Sequence, residues 1–198
     1  RGSGGPKLVG LFADQPIEEV TDTAQFVGLD WIQLCGKEGP DFWSQIDRPL
    51  LQSFHVPNPP VGGNTAVVDN VVVGPEALIR DYRSGTLAFL EGRLQALERS
   101  GGLAILDRGS EEQPGGVGQS FDWTVARNLA DQHYRFLLAG GLTPDNVTCA
   151  IDVAHPYGVD VSTGVETDGV KDPEKILAFV HAASDNTHRF EEPEKQGA

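Results

Sequence analysis

The stretch YRFLLAGGLTPDNVTCAIDVAHPYGVDVSTGVETDGVKD, residues 134–172, decides how this chain is read. It contains two short apolar runs, 136–139 and 158–161, and each ends in a turn of small residues. Gly140-Gly141 and Leu142-Thr143-Pro144 follow the first run. Thr143 has an N-capping side chain, and Pro144 suits the first helical position, where its missing N–H has no partner to lose. The spacing therefore predicts a helix over 144–151. Ser162-Thr163-Gly164-Val165-Glu166 follow the second run, and another helix is expected to begin at Asp172-Pro173. Glycine lets a ligand approach the backbone, and the N–H groups of a helix start favour an anion. Two successive units of this kind suggest one phosphate site shared by neighbouring loops, and barrels of eight βα units commonly place such a site after their last two strands. Any α/β fold also needs tight βα turns, so spacing alone leaves both readings open.

Upstream, strands and helices alternate. Residues 8–13 form a nearly continuous apolar run, as expected for a strand covered on both faces. Pro16 then opens a helix with Val20, Ala24 and Val27 on one stripe, and Gly28 ends it. A short strand over 31–34 leads to Cys35-Gly36 and an acidic helix over 41–46, and 50–56 is the next strand, with His55 near its end. Strict alternation argues for a parallel sheet.

Residues 57–102 interrupt the rhythm. Pro57-Asn58-Pro59-Pro60 and Gly62-Gly63 mark a loop, and 66–73 reads as an extra strand or an apolar loop. Pro75 opens a helical region, weakened at Ser84-Gly85, with Leu87, Leu90, Leu94 and Leu97 on one face. A strand over 103–106 then ends in Asp107, and a helix begins near Asp122. We expect a flexible lead-in over 1–6, one domain over 7–183 and a polar, disordered tail over 184–198.

The 198 residues suffice for one domain with a substantial core. A formal net charge of −14 opposes binding to nucleic acid or to an anionic membrane. It also repels an anionic substrate at long range, so a phosphate site must rely on local donors. The two cysteines, Cys35 and Cys149, give neither metal spacing nor a disulfide framework. With no apolar run of membrane-spanning length and no signal peptide, the chain reads as cytoplasmic.

The motifs are more specific than the spacing. LLAGGLTPDNV (137–147), GVDVSTGVE (158–166) and GVKDPEKI (169–176) closely resemble the C-terminal end of the phosphoribosylanthranilate isomerase family. LVGLFADQPIEEV (8–20), DWIQLCG (30–36) and GGVGQSFDW (115–123) match the same family in the same order. The resemblance implies a (β/α)8 TIM barrel, and here an incomplete one: 8–13 aligns with the third strand, leaving about six of eight βα units and the first two missing. It makes 57–102 an insertion, since the family connection is usually shorter. FADQPIEEV, SFHVP and that long connection resemble fungal members, in which this domain is often fused behind other tryptophan-pathway domains.

The implied reaction is the Amadori rearrangement of N-(5′-phosphoribosyl)anthranilate, a small sugar-phosphate substrate, in tryptophan biosynthesis. It needs a general acid at the ribose ring oxygen and a general base at C2′, with no cofactor and no metal. Asp107 matches the family's acid, although AILDR carries Arg108 where the family has a small residue, and an inward Arg108 would weaken that acid. The phosphate falls to Gly140, Gly141, Ser162, Thr163 and Gly164. Gly116 and Gly118, in GGVG where the family has GGTG, close over the ligand. Asp160 matches an aspartate near the substrate. Cys35 stands where the family has histidine, and with His55 it is a candidate for the mouth of the site; a small buried thiol and a solvated histidine are the plainer readings. The family's cysteine base and carboxylate-gripping arginine lie on the two units that have no match. Three alternatives follow: a sugar-phosphate-binding remnant, a partial barrel completed by another chain, and, less favoured, an aminoaldose isomerase of the histidine pathway.

Overall fold

The computed structural model describes residues 5–57, 66–68, 71–73, 75–108 and 122–184. Most of the expected lead-in, and the expected tail after 184, lie outside these residues. The first strand, β1 (Val9–Phe12), feeds α1 (Ile17–Val27), which buries Val20 and Ala24 and ends at Gly28 in the left-handed region (φ 72°). Next come β2 (Trp31–Leu34), the single turn α2 (Pro40–Trp43) and β3 (Leu50–Val56). The acidic helix expected over 41–46 is thus shorter and starts one residue earlier, with Pro40 at its first turn.

In the interrupting stretch, β4 (Ala66–Val68) and β5 (Val71–Val73) form an antiparallel pair, and α3 (Pro75–Arg99) follows as one continuous helix. Ser84-Gly85 does not break it. Thr86, Leu90, Leu94 and Leu97 are buried on its inner face, and that packing outweighs the roughly 1 kcal/mol cost of a helical glycine.

The remaining units are β6 (Leu103–Arg108), α4 (Trp123–Asp131), β7 (Phe136–Leu138), α5 (Val147–Ala154) and β8 (Gly158–Val159). A 3-10 turn (Thr163–Val165), the hairpin β9 (Glu166–Thr167) and β10 (Val170–Lys171), and α6 (Pro173–Ser184) complete the described chain. The helix expected over 144–151 begins three residues later. Asn146 Oδ1 accepts the Thr143 N–H (2.8 Å) and its Nδ2 donates to the Gly141 carbonyl (3.0 Å), so Asn146 closes the turn in place of a Thr143 cap.

Six strands form one parallel sheet in the order β1-β2-β3-β6-β7-β8, so among the described residues β1 and β8 each have one neighbour. Its two faces differ. The outer face packs Phe12, Ile32, Leu34, Phe54, Leu106 and Phe136 against the helices in the main core. Gln52, also fully buried there, accepts from Trp43 Nε1 (2.9 Å) and donates to the Leu34 carbonyl (3.2 Å), pinning α2 to β3. On the inner face a smaller cluster gathers Leu51, Ile105 and Ala139 with Trp31, Leu103 and Leu137. Toward β1 this face is uncovered: Val9 is 45% exposed and Leu11 64%. An apolar hollow of about 610 Å³, lined by Val9, Trp31, Leu51, Leu103 and Leu137, opens beside them.

Candidate active site at the carboxyl ends of the strands

Because the strands are parallel, all their carboxyl ends lie at one rim. His55 of β3 stands in register with Asp107 of β6. The ladder continues one residue past β7 and β8, where Ala139 N–H donates to the Leu106 carbonyl (2.8 Å) and Asp160 N–H to the Leu138 carbonyl (2.9 Å). Side chains alternate faces along a strand, so His55, Asp107, Ala139 and Asp160 form one inward layer at the rim. Arg108 falls on the opposite face.

Partial burial raises the pKa of Asp107. A positive charge on His55 and the Arg108 backbone N–H oppose that rise, while the Asp160 carboxylate adds to it. Desolvation likewise raises Asp160, against Lys171 and the Val161 N–H; its residue is exposed at the rim, so solvent weakens this shift. Burial thus favours the neutral form of Asp107 more than at a free carboxyl. Removing the Asp160 charge should lower the Asp107 pKa, and removing the His55 charge should raise it. We expect the ¹³C carboxyl titration of Asp107 to move to lower pH in Asp160→Asn and to higher pH in His55→Gln.

The glycine turns sit beside this layer. Gly140 and Gly141 both have left-handed backbones (φ 86° and 70°). A Cβ on Gly140 would lie 2.5 Å from the Arg108 nitrogen and 2.7 Å from Asp107 Oδ1, so the turn after β7 rests directly on the end of β6. A Cβ on Gly164 would overlap the Leu142 carbonyl oxygen. The turns after β7 and β8 therefore touch, backbone to backbone. Gly164→Ala must separate them, and we expect a melting-temperature loss of several degrees, equivalent to roughly 1–3 kcal/mol, in a thermal unfolding experiment.

The helix starts contribute less to an anion site than the sequence suggests. At α6, Asp172 Oδ1 accepts the N–H groups of Glu174 (3.0 Å) and Lys175 (3.3 Å). At α5 the Asn146 and Val147 N–H groups donate to the Thr143 carbonyl. The two glycine turns, at Gly140-Gly141 and at Gly164, remain as the candidate approach for an anion.

Cys35 lies on the inner face, where Gln33 Nε2 donates to its Sγ (3.5 Å) and Ser53 Oγ is 3.4 Å away. Gly116, Gly118 and the rest of the GGVG loop lie outside the described residues. Among the described residues no three His, Cys, Asp or Glu side chains are arranged to hold a metal ion.

Two features escape the sequence reading. Glu38 Oε1 accepts the Asp14 N–H (2.7 Å) and Asp14 Oδ1 accepts the Lys37 N–H (2.7 Å), which interlocks the loops after β1 and β2. Lys171 Nζ donates to Glu166 Oε1 (2.6 Å) and to the Ser162 carbonyl (2.9 Å). The signal for the second was present: Asp168-Gly169 between 166–167 and 170–171 spells a two-residue hairpin turn, and both residues have positive φ (52° and 76°).

Comparison with known proteins bears on the family and the fold. The family model for N-(5′-phosphoribosyl)anthranilate (PRA) isomerase matches residues 2–71 and 88–182. The N-(5′-phosphoribosyl)anthranilate isomerase of Dehalococcoides mccartyi is 36% identical over 180 residues, covering 91% of this chain and 72% of that protein. A tryptophan biosynthesis protein of Phytophthora nicotianae is 35% identical over 187 residues, and these cover 93% of this chain but 31% of that longer protein. The crystal structure of phosphoribosylanthranilate isomerase from Thermotoga maritima superposes with a TM-score of 0.63 at 28% identity, covering 90% of this chain and 73% of that one.

Proposed function

We propose a site and mechanism on one premise: the chain belongs to the N-(5′-phosphoribosyl)anthranilate isomerase family. Its reaction is the isomerisation of N-(5′-phosphoribosyl)anthranilate to 1-(2-carboxyphenylamino)-1-deoxyribulose 5-phosphate in tryptophan biosynthesis. In our reading the substrate phosphate lies on Gly140, Gly141, Ser162, Thr163 and Gly164. Asp107 gives its proton to the ribose ring oxygen, and the ring opens to a Schiff base. A base then takes the C2′ proton, and the resulting enol becomes the ketone. Asp160 orients the amino group, while His55 and Cys35 line the mouth. The GGVG loop with Gly116 and Gly118 closes over the ligand.

The observation carrying this reading is the position of Asp107. It is half-buried, carries a raised pKa and lies against the turn at Gly140, which in turn touches the turn at Gly164. An acid thus sits beside two joined backbone turns, as a phosphorylated sugar requires.

We further propose that this sheet is six of the eight βα units of a barrel. The coverage of relatives, 72% and 73%, and the uncovered Val9 and Leu11 support it. Burying a side chain such as Leu11 contributes about 1.5–3 kcal/mol, so further strands on this face would stabilise the fold. The 57–102 stretch contains an insertion on this reading, with the gap in the family match at 72–87 in its support. The site would act alone or fused to other tryptophan-pathway domains, in the cytoplasm. Among the described residues no helix is long and apolar enough to cross a membrane.

One observation favours a second reading for the 198 residues as an isolated polypeptide. They contain the matched acid and the glycine turns, whereas the family's cysteine base and carboxylate-gripping arginine have no match. On that reading the isolated chain binds a sugar phosphate without turning it over. Turnover measured by anthranilate fluorescence, with and without the two further units, tests both readings.

A further inference from the structure

We propose that Lys171 is the positioning residue of the turn after β8, and that through this turn it sets the affinity of the site for a phosphate monoester. The inference rests on the phosphate site of the proposed function. An ammonium has three donors, and Lys171 Nζ has three acceptors around it: Glu166 Oε1 at 2.6 Å, the Ser162 carbonyl at 2.9 Å and Ser162 Oγ at 3.4 Å. The group is thus committed to the turn's own atoms. Glu166 is held from a second side as well, because Lys175 Nζ donates to its carbonyl (2.6 Å).

Two consequences follow. In a trans peptide the carbonyl and the following N–H point in opposite directions. The described chain has no cis peptide, so fixing the Ser162 carbonyl toward Lys171 aims the Thr163 N–H away from it. Ser162 has an irregular backbone (φ −120°, ψ −91°) and no side-chain cap bond, so the bonds from Lys171 help define its conformation. The second consequence is electrostatic. Lys171 acts on Asp160 at the rim, so it supplies local positive charge where a chain of net charge −14 must receive an anion. Lys171 is about half exposed (52%), and surface ion pairs add little to stability, so affinity can be read separately from unfolding.

The test is calorimetric titration of the chain with inorganic phosphate at several salt concentrations, with folding checked by circular dichroism. We expect Lys171→Met to raise Kd by about tenfold and to flatten its salt dependence, with Lys171→Arg recovering most of the affinity. Glu166→Gln separates positioning from bulk charge. It removes a negative charge, which by itself would tighten phosphate binding, but it also releases Lys171, so we expect weaker binding. Unchanged affinity in folded Lys171→Met, or tighter binding in Glu166→Gln, overturns this inference while the phosphate site stands. A folded wild-type chain that does not bind phosphate overturns the site itself and this inference with it.

Discussion

Asp107→Asn, made in a barrel completed with two further βα units, is expected to lower kcat/KM by about 10²–10⁴-fold, the typical contribution of a positioned general acid. The amide has nearly the same shape and cannot protonate the ribose ring oxygen. Its effect on stability should run the other way. The pKa of Asp107 is raised in the folded chain, chiefly by burial. Ionising it therefore costs the fold stability, a cost that appears as pH rises above the unfolded value and is complete above the folded one. Asn carries no such cost, so at neutral pH the variant should melt no lower than wild type. A melting curve beside the kinetics thus separates loss of the acid from loss of the fold.

The second large effect concerns the 198 residues by themselves. A positioned base contributes roughly 10²–10⁴-fold, and misorientation of the substrate without its carboxylate clamp adds to the defect. We expect negligible turnover from the isolated chain and restored turnover when the two units are supplied, covalently or in trans. On the proposed reading these units would add at β1 and β8, which each have one neighbour among the described residues, and over the exposed Val9 and Leu11. If the isolated chain turns over rapidly, its base lies within it, and Cys35 beside Ser53 is the first to replace.

Much of the fold was legible because parallel strands buried on both faces leave continuous apolar runs, as at 103–106; the run at 8–13 reads the same way, but Val9 and Leu11 of β1 are exposed on the inner face. The glycine turns were legible for a related reason: Gly140 and Gly164 stand where no other residue fits. What stayed hidden depends on partners distant in sequence or on turn chemistry. The start of α5 moved because Asn146, and not Thr143, bonds across the turn. Ser84-Gly85 reads as a weak point of the helix because the packing of Leu90, Leu94 and Leu97 that holds it is invisible in a local window. Asp107 is legible at its strand end, but its layer with His55 and Asp160 emerges only from the register of four strands, β3, β6, β7 and β8. Arg108 looked like a threat to the acid, yet alternation puts its side chain on the other face, and it acts on Asp107 through its backbone N–H. Lys171 lay in a quoted motif without a role, because its acceptors are brought to it by a hairpin of two-residue strands.

We propose that this sheet carries the acid and phosphate side of a phosphoribosylanthranilate isomerase site, with Asp107 as the acid. A single anthranilate-fluorescence assay of the completed barrel and of its Asp107→Asn variant, under identical conditions, tests that assignment. Robust turnover is expected with the aspartate and a loss of about 10²–10⁴-fold with the amide, at a melting temperature no lower than that of the parent barrel. Equal turnover by both proteins would contradict it and assign the acid to another residue.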